Sequence, residues 1–305
     1  MEKHRKKLIK NAAVFDGHSS GLVQGKKIVI EDDIVTEITA DEVSEENFDE
    51  VFDGTGMVAM PGMTDAHVHM GCLFAKGEFP VDYATVLTVA KCKDALMAGF
   101  TTFRDAGSVS EGLKLAFDEG VLPGPRIYPC GAYISQTCGH GDSEYAHTYR
   151  DIQYRHPSST VLVDGVPEII RAVREQFYRG ASHIKLMATE ILNRHEDIRL
   201  LFGTDMMITG PDYQVEQSED IRYYEKRFGT MRALRALTGT ANEVFALTTY
   251  QNPYPKGKIG VLEAGSYADL LLVDGDPTKS VSVLADTDHL RLIMKGGTVY
   301  KNTLC

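Results

Sequence analysis

The chain changes texture twice, and this pattern constrains its fold more than any other feature. Residues 7–60 consist of short runs rich in Val, Ile and Thr (KLIKNAAVFDG, KKIVIEDD, IVTEITA). Clusters of Gly, Asp and Ser that suit hairpin turns separate them. Residues 257–305 return to that texture in GKIGVLEAGSYADLLLVDGDP and HLRLIMKGGTVYKN. Two all-β ends around a different middle predict one small sheet domain, residues 1–60 and 257–305, assembled from both ends, which commonly lie close in a folded domain.

The middle, residues 61–256, alternates strand and helix. Apolar MPGMTDAHV precedes the helical stretch YATVLTVAKCKDALMAG, whose Gly99 suits a helix C-terminus. FTTFRDAG reads as a strand, SEGLKLAFDEG as a helix and PRIYPCGAYIS as a strand, followed by a polar loop from Gln136 to Val163. Then come the helix GVPEIIRAVREQFYRG, the strands SHIKLMA and IRLLFGTD, and the helix GTMRALRALTGTANEVFAL. This order predicts an α/β fold with βαβ units and a parallel sheet. An eight-unit barrel takes ~250 residues, which residues 61–256 do not supply, and about five strands are legible. TEILNRHED, between the last two strands, is too short for a crossover helix.

Charge and cysteine content narrow the function. Acidic residues outnumber basic ones 43 to 32, for a net charge of −11, opposite to the bias of a nucleic-acid binder. No run approaches the ~18 apolar residues of a membrane span. The five cysteines (Cys72, Cys92, Cys130, Cys138, Cys305) are odd in number and form no C-x-x-C, so a disulfide framework is not expected. MEKHRKKLIKNAAVFDG has a basic start but no apolar stretch of signal-peptide length. The expectation is a cytoplasmic protein acting on a small molecule, with no nucleic-acid or membrane partner; a homo-oligomer stays open.

Several side chains are candidates for chemistry. His67 and His69 close an apolar strand, and period two puts both imidazoles on one face, a good pair of ligands for zinc and similar ions. Two polar residues at a strand end are the plainer reading. Asp65 shares that face and is placed to orient a ligand imidazole. Lys185 points away from Ile184 and Leu186, on the side of His183 and Met187. It is either a snorkelling side chain or a desolvated amine of lowered pKa that takes up carbon dioxide as a metal-bridging carbamate. Asp205 ends IRLLFGTD, where a carboxylate serves metal or proton chemistry, although turn and helix-cap aspartates are common there. His140 lies in the Gly-flanked loop SQTCGHGD, which allows close backbone approach to a ligand. GHSSG at residues 17–21 matches G-x-S-x-G with Ser19 as nucleophile, but it sits between strands rather than at a strand–turn–helix elbow.

Taken together, MPGMTDAHVHM, AGFTTFRDAG, PGPRIYPCGAYISQTCGHGD, EIIRAVREQFYRGASHIKLMAT, LFGTDM and NPYPKGKIGVLEAGSYADLLLVDGDP resemble the metal-dependent amidohydrolase superfamily, in its imidazolonepropionase-like and Xaa-Pro dipeptidase-like branch. The resemblance implies a (β/α)8-type barrel with a small β-sandwich formed by both termini and a metal centre at the barrel mouth. It makes His67 and His69 the first-strand metal ligands, Lys185 the carboxylated bridging lysine of strand four, Asp205 the metal-binding and proton-shuttling aspartate of strand eight, and His140 a residue facing substrate. Two further histidine ligands are expected from strands five and six. Here only residues 186–204 separate Lys185 from Asp205, with His195 alone between them. Strands five to seven are therefore expected to be absent and the barrel incomplete.

The implied activity is hydrolysis of a carbon–nitrogen bond in a dipeptide, cyclic amide or related small substrate. One or two divalent ions, zinc first among them, would activate water, with Asp205 moving the proton. The alternative is a catalytically silent shortened homologue.

Overall fold

The computed structural model describes residues 5–70, 81–107, 109, 111–137, 139, 141–142, 160–187, 199–207 and 213–304. The N-terminal part supplies β1 (Lys6–Lys10), β2 (Ala13–Val14), β3 (Lys27–Glu31), β4 (Ile34–Thr39), β5 (Glu50–Asp53) and β6 (Val58–Pro61). The middle contains β7 (Met63–His69), α1 (Val81–Met97), β8 (Phe100–Asp105), α2 (Glu111–Asp118), β9 (Arg126–Tyr128), β10 (Tyr133–Ser135), β11 (Thr160–Leu162), α3 (Val166–Tyr178), β12 (Leu186–Met187), β13 (Met206–Met207), α4 (Tyr213–Phe228), α5 (Thr230–Leu237) and α6 (Gly239–Ala246). The chain closes with β14 (Leu270–Val273), β15 (Leu290–Lys295) and β16 (Thr298–Asn302). No described helix is long and apolar enough to cross a membrane.

Two sheets come from the chain ends. One has the order β4-β3-β1-β5; the other, β16-β15-β14-β6-β2, joins C-terminal to N-terminal strands through the antiparallel β14–β6 pair. Side chains alternate along a strand, and β14 uses both faces. Leu270 and Leu272 pack with Ile9, Ile28, Ile30 and Phe52 between the two sheets. Leu271 and Val273 pack with Phe100, Leu96 and Phe15 on the other side. All four β14 side chains are buried, as expected of a strand covered on both faces.

The middle forms two parallel sheets, β13-β7-β8-β9 and β11-β10-β12. α1 follows β7, and Gly99, at φ +88°, turns the chain from the helix into β8. Buried Phe103, Ile127, Leu96 and Cys92 fill the space between sheet and helices. Five local expectations change. PRIYPCGAYIS, expected as one strand, is β9 and β10 in two different sheets, and among the described residues of SHIKLMA only Leu186–Met187 is strand. The end of the polar loop, Thr160–Leu162, is a strand pairing in parallel with β10. The single helix expected over residues 229–247 is two helices, because Thr238 leaves helical geometry (φ −133°, ψ −99°) and its hydroxyl donates to the Leu234 carbonyl at 2.7 Å. IRLLFGTD runs beside β7, with Ala66 N–H donating to Phe202 O at 2.8 Å, but regular pairing is confined to β13 just after it.

A buried ion pair links the two parts. Arg126 of β9 donates through Nε to Asp269 Oδ2 at 2.6 Å and through Nη2 to Oδ1 at 3.2 Å. Its guanidinium carbon lies 3.8 Å from the centre of the Tyr267 ring. Asp269 directly precedes β14, so the pair pins the mixed-end sheet to the barrel-side strands.

Candidate metal centre

Three potential ligands meet at the C-terminal end of β7. His67, His69 and Asp205 offer atoms that all lie within 4.8 Å of one another, the one such cluster of three among the described residues. Asp205 Oδ1 lies 2.9 Å from His67 Nε2 and 3.1 Å from His69 Nε2. Strand alternation puts the imidazoles together, while the neighbouring segment supplies the carboxylate. Asp205 N–H donates to the His67 carbonyl at 2.8 Å. Asp205 has φ +56°, a left-handed conformation that aspartate tolerates better than most residues. This turn interrupts the ladder predicted over IRLLFGTD. Gly203 permits the approach, since a Cβ there would lie 2.8 Å from His67 Cβ.

Asp65 fixes this arrangement from below. Its Oδ2 accepts from Thr204 Oγ1 at 2.9 Å and Gln217 Nε2 at 3.2 Å. Its Oδ1 accepts from the N–H groups of His67 and Thr204 at 3.2 and 3.3 Å. One fully buried carboxylate thus ties β7 to the segment carrying Asp205 and to α4. Burial pushes its pKa up to about 6 against the pull of these donors.

Lys185 joins the group from the β12 side, with Nζ 3.0 Å from His67 Nε2. Burial, followed by the Lys185 charge, holds His67 down at about 4. His67 Nε2 therefore faces Lys185, whose ammonium only donates, and Asp205, whose carboxylate only accepts. One ring nitrogen cannot serve both. A divalent cation on that nitrogen resolves its conflict with Asp205, because the imidazole lone pair and the carboxylate then both point at positive charge. Two imidazoles and a carboxylate also form a donor set suited to zinc and its neighbours, with a position left for water. The residues present fit the ion that the resemblance implies.

His183 and Arg104 lie near the cluster. His183 Nε2 donates to the Asp105 carbonyl at 3.1 Å, and burial brings its pKa down to about 3. Arg104 Nη1 donates to the Ala66 carbonyl at 3.4 Å. His183 was legible as sharing the Lys185 face. Nothing in the sequence singled out Arg104, Thr204 or Gln217. His140 and His195 lie outside the described residues. Ser19 Oγ donates to Asp16 Oδ2 at 2.6 Å in the loop after β2, a local turn contact that lacks the helix a nucleophile elbow requires.

Comparison with known proteins adds three findings. Residues 58–198 match the Amidohydrolase family. Over 152 residues the chain is 34% identical to the ochratoxinase of Aspergillus niger, a match covering 43% of this chain and 31% of that enzyme. The match thus spans about a third of the curated relative's length. Two crystal structures share the fold. One, of an amidohydrolase, superposes with a TM-score of 0.84 at 23% identity, covering 98% of this chain and 100% of the other. The second, a prolidase complexed with N-methylphosphonate-L-proline, gives 0.82 at 21% identity, covering 97% and 100%. The chain therefore shares the overall fold of these two structures.

Proposed function

We propose that this chain, whose residues 58–198 match the Amidohydrolase family, hydrolyses the carbon–nitrogen bond of a small amide, such as a dipeptide or cyclic amide, using a divalent ion. The observation that carries this reading is the Asp205 carboxylate standing against both imidazoles, at 2.9 and 3.1 Å. His67, His69 and Asp205 would hold the ion, zinc first among the candidates. When bound, it would polarise the scissile carbonyl and lower the pKa of water toward neutrality.

The chain's own groups account for the remaining chemistry. Asp205, exposed at the mouth, takes a proton from the attacking water and delivers it to the leaving nitrogen. Asp65 keeps the Asp205 segment in register with β7. Lys185, if its amine took up carbon dioxide and released a proton to form a carbamate, would supply a further oxygen ligand beside His67. The same reading divides the chain into an incomplete barrel, residues 61–256, and a β-sandwich of residues 1–60 and 257–305.

The test combines metal analysis with hydrolysis. Purified protein is stripped with chelator, reloaded with zinc, manganese or cobalt, and given a panel of dipeptides, N-acyl amino acids and cyclic amides. About one ion per chain with metal-dependent release of amine supports the proposal. A chain that takes up no ion and cleaves none of the panel overturns it in favour of a catalytically silent homologue. That second reading draws support from the cluster, whose three ligands among the described residues would suffice for one ion rather than two.

A further inference from the structure

Apart from the metal ligands, a cavity of about 290 Å³ opens between the barrel-side strands and α6. Its polar wall is Arg104, Ser182 and His183; its apolar wall includes Tyr128, Phe245 and Leu247. None of His67, His69, Lys185 and Asp205 lines it. A guanidinium carries five N–H donors and a permanent charge. Arg104 spends one donor on the Ala66 carbonyl at a long 3.4 Å, and no carboxylate lies within ion-pair distance of it among the described residues. The adjacent Asp105 carboxylate accepts instead from the N–H groups of Met70 and Val109, at 3.2 and 3.3 Å. His183 directs Nε2–H to the Asp105 carbonyl. Arg104 thus has no close ion pair among the described residues, only the longer-range attraction of Asp105, and keeps donors to spare for a ligand.

The rest of the wall indicates what would match it. The Tyr128 and Phe245 rings, both part of the cavity lining, stack on each other with centroids 3.8 Å apart and planes 5° apart. Leu247 is 66% exposed and stands at the opening. One cation among aromatic and aliphatic lining residues is the make-up of a pocket in which a few polar groups orient a mostly apolar ligand. We propose that this cavity binds a small organic monocarboxylate, its carboxylate paired with Arg104 and its hydrocarbon body against Tyr128, Phe245 and Leu247. A planar carboxylate suits the guanidinium fork better than a spherical anion does.

Titration calorimetry with benzoate tests this, on metal-stripped protein in chelator so that no resident ion can take the ligand. Saturable binding of one benzoate per chain is expected, with benzamide, which has the same body without the charge, at least about tenfold weaker. Arg104→Gln should weaken benzoate by about tenfold or more and leave benzamide unchanged. Leu247→Glu, at an exposed position that does not threaten folding, should do the same by repulsion. Asp205→Asn should leave benzoate binding intact. The proposal is overturned by any of four results: no saturable binding at millimolar benzoate, equal binding of benzoate and benzamide, unchanged benzoate binding in Leu247→Glu, or loss of benzoate in Asp205→Asn. If Arg104→Gln fails to fold, Leu247→Glu decides alone.

Discussion

Lys185 Nζ lies 3.0 Å from His67 Nε2, although 118 residues separate them in the chain. Burial and this neighbouring charge keep His67 neutral far below the usual range, at about 4. In metal-stripped protein, Lys185→Met should raise the His67 pKa from about 4 toward the ordinary 6.5. NMR titration of the imidazole signals would read the change; a His67 midpoint unmoved by the substitution would mean that burial alone sets it.

Asp205 is the proposed proton carrier, and its side chain is 73% exposed. Asp205→Asn should cut turnover by about 100-fold or more while leaving the melting temperature of the metal-free protein nearly unchanged. Steady-state rates on the best amide of the panel, alongside a thermal melt, separate chemistry from folding. Retained turnover would remove Asp205 from the mechanism.

Asp269 answers the buried charge of Arg126 and also accepts from Gly296 N–H at 2.6 Å. Asp269→Asn keeps the shape but strands the guanidinium, and breaking a buried pair in this way costs roughly 3–5 kcal/mol. Urea unfolding would show a lower midpoint with an unchanged slope.

Lys295 is buried, donates to the Gly124 carbonyl at 2.5 Å, and is pushed down to about 8 by that burial. Between pH 8 and the ordinary lysine value of 10.5, the unfolded chain holds a proton that the folded chain has released. The group's contribution to stability therefore rises with pH across that window and is lost as pH falls through 8. The urea midpoint of wild type should rise relative to that of Lys295→Met as pH climbs from 7 to 10. A difference that stays constant with pH would mean that Lys295 folds with an ordinary pKa.

The sequence revealed local order well and convergence poorly. His67 and His69 could be paired from strand alternation alone, and Gly99 marked its helix end by its conformational freedom. The convergence of Lys185 and Asp205 on His67 could not be read from spacing, because one segment pairs with β10 and the other runs beside β7. α4 escaped notice because its sequence, YQVEQSEDIRYYEKRF, is too polar to mark a buried face. The break between α5 and α6 depends on one threonine hydroxyl turning back on its own helix. Asp65 was expected beside the imidazoles; its reach to Thr204 and Gln217 required the fold. The Arg104 cavity draws its walls from β8, β9, the segment before β12 and α6, and no single stretch of sequence announces it.

β14 buries alternate side chains in two different cores, which bears on how this polypeptide can be made. During synthesis, a nascent chain that has not yet emerged past residue 273 leaves Met60 and Phe15 bare on one side and Ile28 and Ile30 bare on the other. Neither core can reach its final form before Leu270–Val273 have left the ribosome.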